Sequence, residues 1–219
     1  NTLEVQRIYV LGKYKGKHAG TIGDIGIYSF NGNKIMTTGG GGMIVSDNME
    51  FLNRAKHLTT QAKSDELYYT HDEIGYNYRM TNLQAALGLA QIEQLEDFIK
   101  IKKDNYDLYR KEIQEIPGLR ILGFKGGIRP NYWFYTLYIE QEYALNRDQT
   151  IKYLASKKIQ SRPIWGLISD QIPYEGSQTY KIEKARQYLE KVVNIPCSSN
   201  LTKEDADYVI DCLKQPEVV

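Results

Sequence analysis

The sequence has little of what marks the more specialised classes of protein. Its two cysteines, Cys197 and Cys212, are too few for a disulfide framework and lack the spacing of a metal site. Lys and Arg number 28 against 27 Asp and Glu, so the broad positive field of a non-specific nucleic-acid binder is absent. No apolar run approaches the roughly 18–20 residues that a membrane-spanning helix needs, and no signal peptide is visible. We therefore expect no nucleic-acid, membrane or metal partner, and a reducing, cytoplasmic setting.

What remains is the composition of an ordinary globular protein. Of the 219 residues, 42% are hydrophobic and 25% are charged. At roughly 100–200 residues per domain, the length fits one large domain or two small ones. The three histidines, His18, His57 and His71, are too scattered along the chain to indicate a metal site. The chain begins with Asn1 rather than Met, which is typical of a fragment or a processed product.

The first part of the chain combines a strand, a turn and a run of glycines. Residues 25–30 are apolar, β-branched or aromatic and are bounded by glycine, which predicts a short buried strand. Residues 31–33, with the sequence Asn-Gly-Asn, are a turn signal, and Lys34 follows them. Residues 39–42 are all glycine, and residues 43–45 predict the next strand.

Helix signals follow this glycine run. Asp47 or Asn48 is placed to cap a helix that runs to about residue 62. Thr81 is a good N-cap for the longest helix, which we expect to continue to about residue 116 because Pro117 and Gly118 stop it there. The rest predicts a small α/β unit, with strands at 119–122, 132–139 and 159–164 and helices at 146–156, 181–189 and 203–213.

Lys34 is the residue from which a functional hypothesis starts. Ser29 lies five residues earlier, at the predicted end of the strand, where a hydroxyl can donate to a phosphate. The glycines at 39–42 let backbone or a ligand approach without a Cβ in the way. Their spacing is not GxxxxGK[ST], which excludes a Walker-type phosphate loop. A partly desolvated lysine on such a turn suits Schiff-base chemistry, and its amine can carry a proton between neighbouring atoms.

Two blocks of the sequence resemble active-site segments of one enzyme family. The first, GTIGDIGIYSFNGNKIMTTGGGGMIVSD, runs from Gly20 to Asp47, and the second, GYNYRMTNLQAA, runs from Gly75 to Ala86. Both resemble segments of the DegT/DnrJ/EryC1/StrS family of nucleotide-sugar aminotransferases, and they occur in that family's order. The segments SFNGNK, at residues 29–34, and SRPIW, at residues 161–165, are most similar to those of members that aminate UDP-linked 4-keto-6-deoxy-amino sugars.

The resemblance implies an α/β enzyme of pyridoxal-phosphate (PLP) fold type I. It implies that Lys34 holds PLP as a Schiff base and carries the proton, and that Ser29 binds the PLP phosphate. Asn31 is expected beside the cofactor and the substrate. Asn77 is expected to reach the PLP phosphate of a partner subunit, which implies a homodimer with shared active sites. The cofactor supplies the electron sink and the protein supplies orientation and electrostatics.

Two arginines are candidate contacts for the substrate. Arg79 lies just before the helix that Thr81 begins, where a cation opposes the helix dipole, which favours an external anionic partner such as a pyrophosphate. Arg162 precedes Pro163 at a predicted strand end in the small domain. The resemblance implies a nucleotide-linked keto sugar as the substrate and glutamate or glutamine as the amino donor.

The match implies that the chain is the C-terminal part of a family member. We expect residues 1–80 to complete the PLP-binding large domain, residues 81–116 to form a long connecting helix and residues 117–219 to form the small domain. The family's aspartate for the pyridine nitrogen would fall near Asn1, and the upstream phosphate-binding and ring-stacking residues are absent. We therefore expect a truncated chain with little activity alone, whose strands near Ile27 and Ile44 have unpaired edges that associate.

Two other hypotheses belong to different functional classes. The chain could be a non-catalytic remnant of such an aminotransferase, or an interaction module that dimerises through its long helix. A nucleotide-binding domain that does not use PLP is a third hypothesis, which rests on the glycine run alone.

Overall fold

The computed structural model describes the backbone of residues 5–8 and the whole of residues 12–217. Its strands are β1 Val5–Ile8, β2 Lys13–Tyr14, β3 Lys17–His18, β4 Ile25–Ser29, β5 Gly42–Val45, β6 Lys63–Asp65, β7 Thr70–His71, β8 Leu119–Ile121, β9 Ile128–Arg129, β10 Tyr135–Ile139, β11 Arg162–Pro163 and β12 Val192–Ile195. Its α-helices are α1 Met49–Thr59, α2 Asn82–Glu93, α3 Leu95–Ile113, α4 Arg147–Ser156, α5 Glu183–Lys191 and α6 Lys203–Lys214. Among the described residues, no helix is both long and apolar enough to cross a lipid bilayer.

Contacts within the chain divide it into two compact units. The first comprises the residues up to Ile99 together with Phe124–Trp133. The second comprises Lys100–Gly123 and the residues from Phe134 onward. Helix α3 therefore contributes its first turn to one unit and the rest of its length to the other. The domain boundaries expected at residues 80 and 116 stay predictions.

The first unit is built around a short mixed sheet. Strand β4 lies at its centre, parallel to β1 and antiparallel to β5. The predicted strands at 25–30 and 43–45 are thus confirmed. Because β4 has neighbours on both sides, the expectation of an unpaired edge at Ile27 was wrong, whereas β5 ends the sheet within the described residues. A small buried cluster lies beside this sheet and is formed by Phe30, Met36, Leu95 and Ile99.

The second unit is an antiparallel sheet with the strand order β11-β12-β10-β8. Strand β10 alternates buried and half-buried residues, because its two faces meet different surroundings. Strand β12 is buried throughout and was not among the predicted strands. The largest fully buried side chains of this unit are Tyr109, Ile113, Tyr135, Leu137, Leu145, Tyr153, Leu154, Val192, Val193, Ile210 and Leu213.

The helix expected from Thr81 to about residue 116 is two helices in the structure. Helix α2 ends at Glu93, where Gln94 adopts φ −103° and ψ 2° and its N–H bonds back to the carbonyls of Gln91 and Ile92. The Gln94 side chain also donates to the Ala90 carbonyl at 2.9 Å. The apolar positions change face at this point, so a straight helix could not bury the residues that follow. The break at Gln94 corrects the prediction and lets α3 bury Leu95 and Ile99.

Candidate functional site

Lys34 lies in a loop whose two ends are tied together beside strand β4. The N–H of Phe30 donates to the Gly41 carbonyl at 3.1 Å, and the Thr38 N–H donates to the Phe30 carbonyl at 3.0 Å. Phe30 itself is buried. The segment between Phe30 and Thr38 is therefore closed at its base, and Lys34 projects from a fixed point at the end of a central strand.

Hydrogen bonds within the loop bring three of the predicted site residues together. The Lys34 N–H donates to the Asn31 carbonyl at 3.0 Å, which closes the predicted turn. The Asn31 N–H points to Ser29 Oγ at 3.5 Å, and Asn31 Oδ1 accepts from the Gly32 N–H at 2.9 Å. The Lys34 and Ser29 side chains are half-buried and that of Asn31 is exposed. An amine, a hydroxyl and an amide thus occupy one short turn.

The loop is anchored from below by apolar packing and a helix contact. Met36 packs with Phe30, Leu95 and Ile99 in the buried cluster. Next to it, the Thr37 N–H donates to Gln91 Oε1 of helix α2 at 3.3 Å. Residues on both sides of Lys34 are therefore fixed, and the reach of its side chain starts from a rigid base.

Trp133 contacts this loop from a distant part of the sequence. Lys34 Nζ lies 3.8 Å from the centre of the Trp133 ring, a cation–π contact. The Trp133 indole Nε1–H donates to the Asn33 carbonyl at 2.6 Å. The sequence pattern predicts a strand at residue 133 and gives no sign of this contact. No local pattern could have revealed it, because 100 residues separate the two partners.

Two glycines allow close packing beneath the site. A Cβ on Gly26 would lie 1.9 Å from the Gly20 carbonyl oxygen and 2.8 Å from Val45 Cγ2. A Cβ on Gly42 would lie 2.5 Å from the Tyr28 carbonyl oxygen. Real Cβ atoms do not approach backbone oxygen so closely, so β4 can hold its position only because both residues are glycine.

Asn77 lies on a separate segment of the same unit, packed along the end of helix α1. The Tyr76 N–H donates to the Leu58 carbonyl at 2.7 Å, and the Gln61 N–H donates to the Tyr76 carbonyl at 3.0 Å. Asn77 itself bridges Thr60 through the backbone, and its side chain is exposed. Its backbone is therefore fixed while its amide faces outward.

The two candidate arginines are found in different units. Arg79 is exposed and lines a cavity of about 580 Å³ beside strand β5, together with Tyr78 and Met80. Arg162 is exposed on strand β11 of the second unit, where it pairs with Asn194 of β12. The roles of both arginines, like those of Asn31 and Asn77, stay predictions.

A cluster of charged side chains at helix α1 resembles a metal site in composition. Ligand atoms of His57, Asp72 and Glu73 lie within 4.8 Å of one another, and His57 Nε2 is 2.7 Å from Asp72 Oδ1. Arg54 already pairs with the Glu73 carboxylate, and this hydrogen bond is the main cause that lowers the Glu73 pKa. These side chains form an ion-pair network that joins α1 to the segment that follows β7.

Comparisons with known proteins identify the family of the chain. The profile of the DegT/DnrJ/EryC1/StrS aminotransferase family matches residues 10–214. The chain is 35% identical over 204 residues to the GDP-perosamine synthase of Escherichia coli O157:H7. This match covers 93% of this chain and 54% of the relative. The chain is 24% identical over 212 residues to UDP-4-amino-4,6-dideoxy-N-acetyl-beta-L-altrosamine transaminase of Campylobacter jejuni subsp. jejuni serotype O:2 (strain ATCC 700819 / NCTC 11168), covering 91% and 54%.

A solved structure shows the same fold. The PLP form of Spr1654 from Streptococcus pneumoniae superposes with a TM-score of 0.85 at 22% identity, covering 97% of this chain and 57% of that one. The expected fold, PLP fold type I with mixed α/β structure, is thereby confirmed. The chain spans about half the length of the curated relatives it matches. With its profile match over nearly all residues, the chain belongs to the DegT/DnrJ/EryC1/StrS aminotransferase family, whose enzymes depend on PLP.

Proposed function

We propose that this chain carries the lysine-bearing part of a PLP-dependent aminotransferase for nucleotide-linked sugars. The reaction would move an amino group from glutamate or glutamine to the keto carbon of a 4-keto-6-deoxy sugar. The observation that carries the proposal is Lys34, held on a turn that is fixed on both sides and that also presents Ser29. The identity of 35% to a GDP-perosamine synthase supports the same substrate class.

The residues of the Lys34 turn fit the two ends of PLP. An aldehyde requires a primary amine at a defined place, and Lys34 Nζ is such an amine. A phosphate requires hydrogen-bond donors, and Ser29 Oγ lies at the end of the strand that carries this turn. When bound, PLP supplies the electron sink that stabilises charge on the reacting carbon.

The side chains of the turn would then have separate tasks. Lys34 holds the cofactor and afterwards moves the proton through Nζ, since a released amine on a short turn can reach neighbouring atoms. Ser29 orients the phosphate end. Asn31, exposed at the tip of the turn, faces the space where the substrate would lie.

We propose that the working form is a homodimer whose partner covers the apolar surface of the first unit. Leu67, Tyr68, Ile74, Tyr78 and Leu83 are all largely exposed in this unit, although such side chains are usually buried in soluble proteins. Asn77 lies on the same stretch of chain with its amide outward. This supports the prediction that Asn77 reaches the partner's PLP phosphate.

Arg79 and Arg162 remain the proposed contacts for the substrate.

The nucleotide and the setting are finer parts of the proposal. The sequence predicts a UDP-linked sugar, and the Campylobacter jejuni relative is by its name a UDP-sugar transaminase. The more similar Escherichia coli relative is a GDP-sugar enzyme, so the GDP-linked sugar is the second substrate to test. The cytoplasmic setting stays a prediction.

A non-catalytic interaction module is the alternative function. The exposed apolar side chains of the first unit favour it, because they would also serve a chain that binds a partner without catalysis. Asn1, at which the family's pyridine-binding aspartate was expected, lies outside the described residues.

Borohydride reduction in the presence of PLP tests the central claim. The 219-residue chain is incubated with PLP, reduced, and mapped by peptide mass spectrometry. We expect label at Lys34 in preference to the other lysines, and loss of that label in Lys34→Ala. Lys63 is a matched control, because its Nζ also lies over an aromatic ring, 4.7 Å from the centre of Tyr69, but away from any such turn. Equal labelling of Lys34 and Lys63 would contradict the proposal.

Complementation tests the shared active site. Lys34→Ala and Asn77→Ala, when present in both subunits, are each expected to abolish the small transaminase activity that we expect of this chain. Mixing equal amounts of the two variants should restore about a quarter of the rate of the unmodified chain, since about half of the dimers would be mixed and each of these would have one intact site of its two. No recovery on mixing would contradict the role proposed for Asn77.

A further inference from the structure

Trp133 contacts the Lys34 turn at two points with different chemistry. Its ring face lies 3.8 Å from Lys34 Nζ, where the ring quadrupole attracts an ammonium group. Its indole N–H donates at 2.6 Å to the carbonyl of Asn33, the residue immediately before Lys34. One side chain therefore acts on both the backbone and the amine of the same lysine.

The position of Trp133 is itself fixed by its neighbours. Asn131 is buried, and its Oδ1 accepts from the Trp133 N–H at 3.2 Å. Tyr132, between them, has φ 53°, a left-handed conformation that is costly for a bulky residue. Its ring packs edge-on against Phe124 at 5.5 Å. A strained residue persists only where its surroundings over-determine it, and such residues concentrate at functional sites.

We propose that Trp133 is a positioning residue for Lys34. The indole N–H fixes the turn, and the ring face holds the Lys34 ammonium in one place until the cofactor attaches. A lysine side chain loses much rotamer freedom when it is ordered, so a lysine that must return to the same place after each cycle benefits from a fixed resting position. This inference rests on the proposed function, because it concerns the lysine that we propose to hold PLP.

The fluorescence of Trp133 tests the contact without any cofactor. The sequence contains two tryptophans, and Trp165→Phe leaves Trp133 as the sole one. In that background we expect Lys34→Met to change the emission maximum or intensity of Trp133, because a charge is removed from the ring face. Lys63→Met should leave the emission unchanged. Superimposable spectra for the Lys34→Met and Lys34 forms would overturn the inference.

Labelling selectivity tests the consequence for the lysine. The measured quantity is the PLP label trapped at Lys34, divided by the mean label at the other lysines. In Trp133→Phe, which keeps a ring and loses the indole N–H, we expect this ratio to fall about fivefold, equivalent to about 1 kcal/mol for one hydrogen bond. Trp133→Ala should lower it further, and Trp165→Phe should leave it unchanged. An unchanged ratio in Trp133→Phe would overturn the inference even if Trp133→Ala fails to fold.

The outcomes separate this inference from the proposed function. Wild-type chain without preferential labelling at Lys34 would contradict the proposed function, and with it the role given to Trp133, whatever the fluorescence shows. Preferential labelling in wild type that survives unchanged in the Trp133 variants would overturn the inference alone. Preferential labelling that falls in Trp133→Phe, together with emission sensitive to Lys34→Met, would support both.

Discussion

Helices α2 and α6 begin with the same capping signal but differ in how much of their surface is buried. Each has 12 residues and each starts at a threonine that forms a capping box, Thr81 in α2 and Thr202 in α6. Helix α6 buries five side chains, whereas within the part of the chain that the structure describes α2 buries none. Both sequences contain enough apolar residues for a buried face. The comparison teaches that local sequence decides where these helices form, and that the surroundings available to each unit decide what it buries.

Truncating a leucine in each helix should give the largest contrast. Leu213 of α6 is fully buried, and Leu83 of α2 is 85% exposed. Leu213→Ala should lower the free energy of unfolding by about 3 kcal/mol, because it removes buried surface and leaves a cavity. Leu83→Ala should change it by less than about 0.5 kcal/mol in the monomer. Urea unfolding followed by circular dichroism measures both.

The same pair of variants examines the proposed dimer. If a second copy covers α2, Leu83→Ala should weaken association in sedimentation equilibrium while Leu213→Ala affects folding. A large loss of monomer stability in Leu83→Ala would show that α2 is packed after all, and would remove the contrast between the helices.

The first unit is tightly packed around Gly26 of strand β4, and a substitution at this glycine should reveal that packing as a loss of stability. Gly26→Ala would place a methyl group 1.9 Å from the Gly20 carbonyl oxygen, and a backbone atom cannot move aside easily. We expect a loss of about 2–3 kcal/mol from overpacking, measured by urea unfolding. Gly126→Ala, also in the first unit, is the control, because no heavy atom lies within 4 Å of its new methyl group. Equal effects would mean that strand β4 is not held by close packing.

Removing either N-cap should lower the free energy of unfolding by a similar amount, but the two losses should appear in different measurements. Thr81 accepts from the Gln84 N–H, and Thr202 accepts from the Asp205 N–H. Replacing either threonine by alanine should cost about 1 kcal/mol. For Thr202→Ala the loss should appear in the stability of the second unit. For Thr81→Ala it should appear as faster amide hydrogen exchange in α2, because none of the side chains of that helix is buried. Faster exchange in α6 alone would contradict this expectation.

The smallest expected effect is a dependence of the free energy of unfolding on pH, which we expect from the buried Lys102 of the second unit. Burial lowers the pKa of Lys102, whose ammonium donates to the Cys197 carbonyl. At Lys102 the unfolded chain therefore binds more protons between the folded pKa and the ordinary lysine value, about 10.4, so this lysine contributes stability that rises with pH across that window. Burial raises the pKa of the neighbouring Cys197 thiol, which contributes the opposite slope in the same range. Burial also raises the pKa of Tyr109, Tyr135 and Tyr143, which reverses the trend above about pH 10.

Unfolding measured between pH 8 and about pH 10 checks this response. Lys102→Met should flatten the rise in stability, because it removes the group that binds the extra proton in the unfolded chain. Lys103→Met is the matched control, since Lys103 is exposed and pairs with Asp107. A slope that survives in Lys102→Met would assign the response to another group.

The same division between local signals and surroundings explains what the sequence could predict. The turn at residues 31–33, the N-cap at Thr81 and the strand at β4 depend on neighbouring residues, and these were predicted correctly. Asn48, which caps α1, is one of the two residues predicted for that position. The break at Gln94 depends on which face each half-helix must bury, and the residues around it include no glycine or proline that would predict a helix end. Strand β12 was missed because its four residues follow a helix directly, without a turn signal between them.

The candidate site divides in the same way. Ser29 is the last residue of strand β4, and Asn31 and Lys34 lie on the turn that follows it, so a family motif and a turn signal were enough to group them. Trp133 reaches that turn from 100 residues away, and only the folded chain shows the pairing. Asn77 and Arg162 lie on other segments, and their proposed roles depend on an assembly that the sequence of one chain does not specify.

The hydrogen bond between Asn33 and Trp133 joins residues that are synthesised at different times. A ribosome adds about 5–20 residues per second, so Trp133 is made roughly 5–20 s after the turn that it contacts. Until then the nascent Lys34 has no indole beside it, and its amine meets aldehydes in the cell without the positioning that we propose for the finished turn. Loading of the cofactor at a defined position would therefore have to wait until the chain has passed residue 133.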